Sequence, residues 1–257
     1  MLDAVYKDYL LFLLVFIRFT GAFFFNPLLA RKGIPSQIKA GLSLLCALAV
    51  TGTLSGDTTA QISSLPVLAA AGVKELLIGF VTGFMLNLLL SVAMIAGELI
   101  DLQLGVSMSK IYDPQSNTTV PLTGTLLNLI LTLMFFLSNG HLTLIRILTL
   151  TFRILPPGPA LLGGQFTNYL VLLFGQMLVM GVKIALPVVA AELIAEFGMG
   201  ALMRTAPQIN VFSVGLQLRI LLGLAVILPA IPLFARAMDS GITYLFEQME
   251  HVFHLMS

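Results

Sequence analysis

The sequence reads as an all-α integral membrane protein, on two grounds. Hydrophobic residues fill 58% of its 257 positions and charged residues only 10%, against about a quarter charged in ordinary soluble domains, and the mean hydropathy is +1.01. Six apolar stretches also reach or approach the roughly 20 residues that cross a hydrocarbon core. Thirteen basic and twelve acidic side chains leave a net charge of +1, so nothing points to nucleic acid as a partner.

The elements follow in order. Asp3, Lys7 and Asp8 precede the apolar run from Tyr9 to Phe25 without an evident cleavage site, which predicts an uncleaved first helix. A second runs from Ile38 to Leu54, with the single Cys46 as a small packing residue and no disulfide framework. The third, Leu76 to Gly97, has no charge over 22 residues, and its Gly79 and Gly83 allow another helix to approach closely. Then the polarity changes. Gly105 to Pro121, "GVSMSKIYDPQSNTTVP", carries Asp113-Pro114 and a run of Ser, Asn and Thr that compete for backbone hydrogen bonds, so it reads as a long loop between helices three and four. Loops of that length are usually functional or disordered.

Leu122 to Leu137 predicts the fourth long helix. A short amphipathic helix follows, "LTLIRILTLTFRIL", with Arg146 and Arg153 seven apart on one face and "LPPGPALLGG" ending it. Phe166 to Val182, extended to Ala195, and Phe212 to Ala235 complete about six long apolar helices. From Arg236, Ile242, Leu245, Phe246, Met249, Val252, Phe253 and Met256 recur at spacings of three and four, the pattern of an amphipathic tail. Its polar face carries Glu247 and Glu250 in place of a basic cluster, which favours packing against a partner over binding anionic lipid. Loop Lys and Arg number four on one side and five on the other, so orientation stays open and other subunits could cover some helices in place of lipid.

Catalytic signatures are missing: the chain has no HExxH, no phosphate-binding loop and no GxSxG, so no enzyme, cofactor or metal is expected. Glu247, Glu250, His251 and His254 form i, i+4 pairs, but the polar face of an amphipathic helix accounts for them without a metal. Charges inside apolar segments are more informative, because each costs about 2.5–3.5 kcal/mol on insertion scales. Arg18, Lys183, Glu192, Glu196 and Arg219 qualify, with Glu98 and Asp101 at a segment end. They could form a proton or ion relay, or interhelical ion pairs and subunit anchors; a secondary transporter with Lys183, Glu192, Glu196 and Arg219 at its midplane is one reading.

Several stretches resemble one family over nearly the whole chain. "RFTGAFFFNPLLARKGIPSQIKAGL" carries Arg18, Pro27, Ile34-Pro35 and Lys39; "GELIDLQLGVSMSKIYDP" and the "NGH" at Asn139 to His141 are the most specific; "APQINVFSVGLQLRI" spans Ala206 to Ile220, with Gln217 where many relatives carry proline. These stretches resemble the FliR family of flagellar type III export-apparatus proteins, whose injectisome homologues are expected to diverge at "DLQLGVS" and "NGH". The resemblance implies a pore subunit that assembles with FliP-like and FliQ-like membrane proteins and other export-apparatus components in the bacterial inner membrane, passing unfolded flagellar proteins. It implies a FliP-like part over residues 1–165 and a FliQ-like hairpin with the amphipathic tail over 166–257. It also makes Gly105 to Pro121 a plug, with Gly105, Val106, Met108, Lys110, Ile111, Asp113 and Pro114 as its gate residues: Val106, Met108 and Ile111 in dry contact, Lys110 and Asp113 hydrated.

Overall fold

The computed structural model describes residues 2–30, 34–54, 64–106, 121–158, 163–205 and 211–257. Among these there are seven α-helices and no strand: α1 Leu2–Phe24, α2 Ser36–Thr51, α3 Leu65–Gln103, α4 Leu122–Leu137, α5 Gly140–Ile154, α6 Gln165–Thr205 and α7 Val211–Met256. The chain is an all-α membrane protein. Every expected apolar segment falls on a helix, and the short amphipathic helix is α5.

The number of long apolar helices differs from the expected six. Among the described residues three helices, α3, α6 and α7, are long and apolar enough to span a membrane, or four if the bent pair α4 and α5 is one broken span. Two physical reasons separate the counts. The last 18 residues of α1 contain Lys7, Asp8 and Arg18, and α2 has only 16 residues. The long helices also outrun the hydropathy segments: α3 begins at Leu65 and takes in Lys74 and Glu75, and α7 continues through Arg236 to Met256, so the tail is the last part of one helix. At 1.5 Å per residue these three helices are about 60–70 Å long, twice a hydrocarbon core of about 30 Å. Pro187 in α6 and Pro229 and Pro232 in α7 interrupt backbone bonding without ending the helices, as membrane helices tolerate.

Contacts divide the chain into two interleaved compact units. The first comprises Met1–Leu88, Asn139–Leu172 and Thr243–Ser257. In it α1 buries Leu11, Leu14, Val15, Arg18, Phe19 and Ala22, a stripe at helical spacing. This stripe meets α3 main chain to main chain. A Cβ on Gly79 would run into the backbone of Arg18, Gly21 and Ala22, and one on Gly83 would lie 2.7–2.8 Å from Phe25, so the two glycines do permit the close approach their spacing suggests. The tail of α7 packs inside the same unit: Leu245, Met249, Val252, Phe253 and Met256 are fully buried, Tyr169 hydrogen-bonds Gln248 through its hydroxyl and meets the His251 ring edge-on at 4.8 Å, and the Gly163 amide donates to the Met256 carbonyl at 3.0 Å. The partner of the amphipathic face is this chain itself.

The second unit comprises Leu89–Ser138 and Leu173–Ile242. Its crossings are also built on glycine: Gly97 abuts the Gly124 and Thr123 backbone, Gly181 would bring a Cβ to 3.2 Å from the Val92 carbonyl, and Gly241 seats the Met180 methyl. Asn139, at φ 58° and ψ 28°, takes the left-handed conformation between α4 and α5, which gives the "NGH" stretch its physical sense: asparagine is the non-glycine residue that most readily turns the chain there.

Candidate functional site

The intramembrane charges separate into three sets. Arg18 is fully buried in the first unit; its Nε donates to Glu75 Oε2 at 2.5 Å, Nη1 to the Thr151 hydroxyl at 2.9 Å and Nη2 to the Leu155 carbonyl at 2.8 Å, with the Phe152 ring 4.1 Å from the guanidinium carbon. Lys74 adds a contact at 3.9 Å to Glu75 Oε1 and donates to the Pro156 carbonyl at 3.2 Å. This is an interhelical ion pair in which the guanidinium is bonded through Nε, Nη1 and Nη2, while Glu75 Oε1 has Lys74 at 3.9 Å and no hydrogen bond among the described residues. Thr151, a residue hydropathy does not single out, belongs to it.

The second set lies in the second unit around the ends of the 105–121 segment. Asp101, in the last turn of α3, is buried, and its carboxylate accepts the Thr123 amide at 3.2 Å and the Thr123 hydroxyl. An acid facing the first turn of α4 satisfies amides that a helix N-terminus leaves free. The bond, together with the Gly97–Gly124 contact one helical turn away, fastens the two stems of the segment to each other. Leu104 is buried, Gly105 turns at φ 74° and Val106 is half-buried. A left-handed turn of that kind favours glycine and ends α3 there. Met108, Lys110, Ile111, Asp113 and Pro114 lie outside the described residues, and Glu98 is exposed.

The third set lies on α6 and α7. Arg219 pairs with Glu196, both partly exposed, and Lys183 is exposed. Glu192, one turn before Glu196, is 2% exposed, and neither of its carboxyl oxygens has a hydrogen-bond partner among the described residues. Opposite it, Gly223 has no side chain, and Leu104 fills the space a Cβ would take. Glu192, Glu196 and Arg219 therefore lie near one another across α6 and α7, with Glu196 and Arg219 partly exposed, and Lys183 is exposed earlier along α6. Leu104, Gly223 and Thr123 are uncharged, and only the glycine spacing in an apolar run could have drawn attention to them.

Residues 9–245 match the family described as bacterial export proteins, family 1. The chain is similar to the flagellar biosynthetic protein FliR of Escherichia coli (strain K12), 30% identical over 209 residues that cover 81% of this chain and 79% of that protein. It is similar also to the flagellar biosynthetic protein FliR of Bacillus subtilis (strain 168), 31% over 213 residues and 81% of each chain, and to Yop proteins translocation protein T of Yersinia pestis, 25% over 221 residues and 84% of each. With both stems of the 105–121 segment and all three sets of charges inside the matched range, the chain belongs to the bacterial export proteins of family 1.

Proposed function

We propose that this chain is a non-enzymatic subunit of the flagellar type III protein export gate in the bacterial inner membrane, and that residues 105–121 seal the pore it helps to form. The names of the relatives support the export role, and the higher identity to flagellar than to Yop proteins favours the flagellar apparatus over an injectisome. One observation carries the seal: Asp101 and Thr123 close the base of a polar segment placed between two apolar helices. A pore passing unfolded polypeptide must not leak, since each charge that crosses 100 mV dissipates about 2.3 kcal/mol. A segment tied at both stems can yield to substrate and return, which a packed helix with its many buried contacts cannot do.

Within this reading one chain does not enclose the pore; FliP-like and FliQ-like subunits complete it, residues 1–165 taking the place of a FliP-like element and 166–257 that of a FliQ-like hairpin. Val106, Met108 and Ile111 make the dry contact of the seal. The test is ion conductance and secretion in cells whose chain lacks Val106 to Thr119. Leak with secretion retained is the expected result; intact impermeability with unchanged secretion and motility would reduce the segment to a connector. Proton-coupled solute uptake by the purified chain would favour the transporter.

A further inference from the structure

We propose that Leu104, Gly223 and Glu192 form a releasable latch that holds the first stem of the 105–121 segment against the α6–α7 hairpin. The inference deepens the seal reading and rests on it only for the consequence of release, not for the latch itself.

The geometry is that of one missing methyl group shared by two side chains. Gly223 on α7 leaves a hollow; the Leu104 side chain occupies it, with Cγ 3.1 Å from where a Cβ would stand, and Glu192 Oε1 lies 3.0 Å from the same point. Leu104 is 4% exposed, follows the last residue of α3 and precedes the left-handed Gly105, so its position sets where the segment leaves the helix. An apolar knob in a glycine hollow is a good contact. A carboxyl group with no hydrogen-bond partner beside it is a poor one, because burial strips its water and returns nothing. A joint made to stay closed would have an apolar residue at 192.

Release improves what closure leaves unsatisfied. When Leu104 withdraws, water enters beside Glu192, and Arg219 is the cation within reach. It stands one turn from Gly223 on α7 and pairs with Glu196, one turn from Glu192 on α6, so both charges lie a single helical turn from the contact. Among the described residues the α3 end contributes no charge at the contact, its nearest acid, Asp101, being bonded to Thr123. Both states of the latch are thus partly satisfied, the closed one by packing and the open one by hydration and an ion pair, which is the condition for a joint that opens and recloses.

The test uses the full-length chain in native membranes with Cys46→Ala and a reporter, Val106→Cys, read by its rate of modification with a small thiol reagent. Gly223→Ala places a methyl where Leu104 sits and is expected to raise the rate roughly tenfold, as is Leu104→Ala. The double variant is expected to add nothing to either, because both act on one contact. Glu192→Leu is expected to lower the rate, the opposite sign from general disruption. An unchanged rate in Gly223→Ala, or a raised one in Glu192→Leu, would overturn the latch. If Gly223→Ala prevents accumulation of the chain, Leu104→Ala and Glu192→Leu still give the two signs. Ion leak in the same latch variants with Val106 retained separates the two readings: rates that move as expected without leak leave the latch standing and remove the seal, and leak without a change in rate does the reverse.

Discussion

Breaking the Arg18–Glu75 pair from either side should cost far more than removing it whole. Both side chains have no exposed surface. Glu75→Ala leaves the guanidinium buried with only the Thr151 hydroxyl and the Leu155 carbonyl, and Arg18→Met leaves a buried carboxylate with only Lys74, 3.9 Å away. Each single change falls in the class that costs about 3–5 kcal/mol, because it strands a charge. In Arg18→Met/Glu75→Leu the buried pair is gone, and the charge left is that of Lys74, which gives up its 3.9 Å contact to Glu75 and keeps its bond to the Pro156 carbonyl. Thr151 keeps its bond to the Leu148 carbonyl at 2.6 Å, and only the Leu155 carbonyl is orphaned, a loss of about 1 kcal/mol. Thermal unfolding of the purified full-length chain in detergent, followed by circular dichroism, reads this at about 2–4 °C per kcal/mol for a chain of this size. The singles should fall by about 6–20 °C and the double by about 4 °C or less. A double variant that falls by the sum of the singles would refute the reasoning, since two independent losses add and two halves of one pair do not.

Other consequences are simpler. Asp101→Ala removes the acceptor for Thr123 and should weaken the joined stems by about 1–2 kcal/mol, seen as increased ion leak in cells, while Asp101→Asn, which keeps one carbonyl oxygen, should leak less. Asn139→Gly should leave the thermal midpoint of the chain unchanged or raised, whereas Asn139→Val, forced to the same positive φ, should lose about 1–2 kcal/mol and lower it. Gly198→Ala should raise the stability of the isolated chain by about 0.5–1 kcal/mol, since among the described residues nothing lies within 4 Å of the added methyl and alanine is the better helix former; if a partner helix covers that face, recovery of the assembled gate by co-purification should fall.

What the sequence disclosed and what it withheld have a common physical cause. Hydropathy finds where a chain is apolar, so every helix was visible, but it places boundaries at charges and not at helix ends. The third segment stopped short of Lys74-Glu75 for that reason, and with them went the partner of Arg18. A signal was present: Gly72, Glu75, Gly79 and Gly83 share one face of α3, and a face whose glycines require a neighbouring backbone carries its acid into that neighbour. The periodicity of the tail was plain, but an amphipathic face states only that something covers it; that Tyr169 and Gly163 of the same chain do so depends on topology. Asp101 was visible as a costly charge, yet its partner Thr123 lies 22 residues away across the very segment whose path periodicity cannot supply.

The use of glycine across the chain orders these observations further. In α3 the glycines at 79, 83 and 97 bring backbones of the same chain together, and the apolar window of that helix is 61% buried. In α6, Gly175, Gly198 and Gly200 have no neighbour within 4 Å of an added Cβ among the described residues, and the corresponding windows of α6 and α7 are only 33% and 17% buried. Phe197 and Ile194, at 79% and 74% exposed, stand on the same stretch as Glu196. Lipid alone would cover the apolar side chains but has no use for helix-weakening glycines beside a half-exposed ion pair. Another protein helix uses both: it fits against the glycines and supplies hydrogen bonds to the charges. The balance of burial therefore describes a chain whose α3 is largely covered from within and whose α6–α7 surface is left for neighbours.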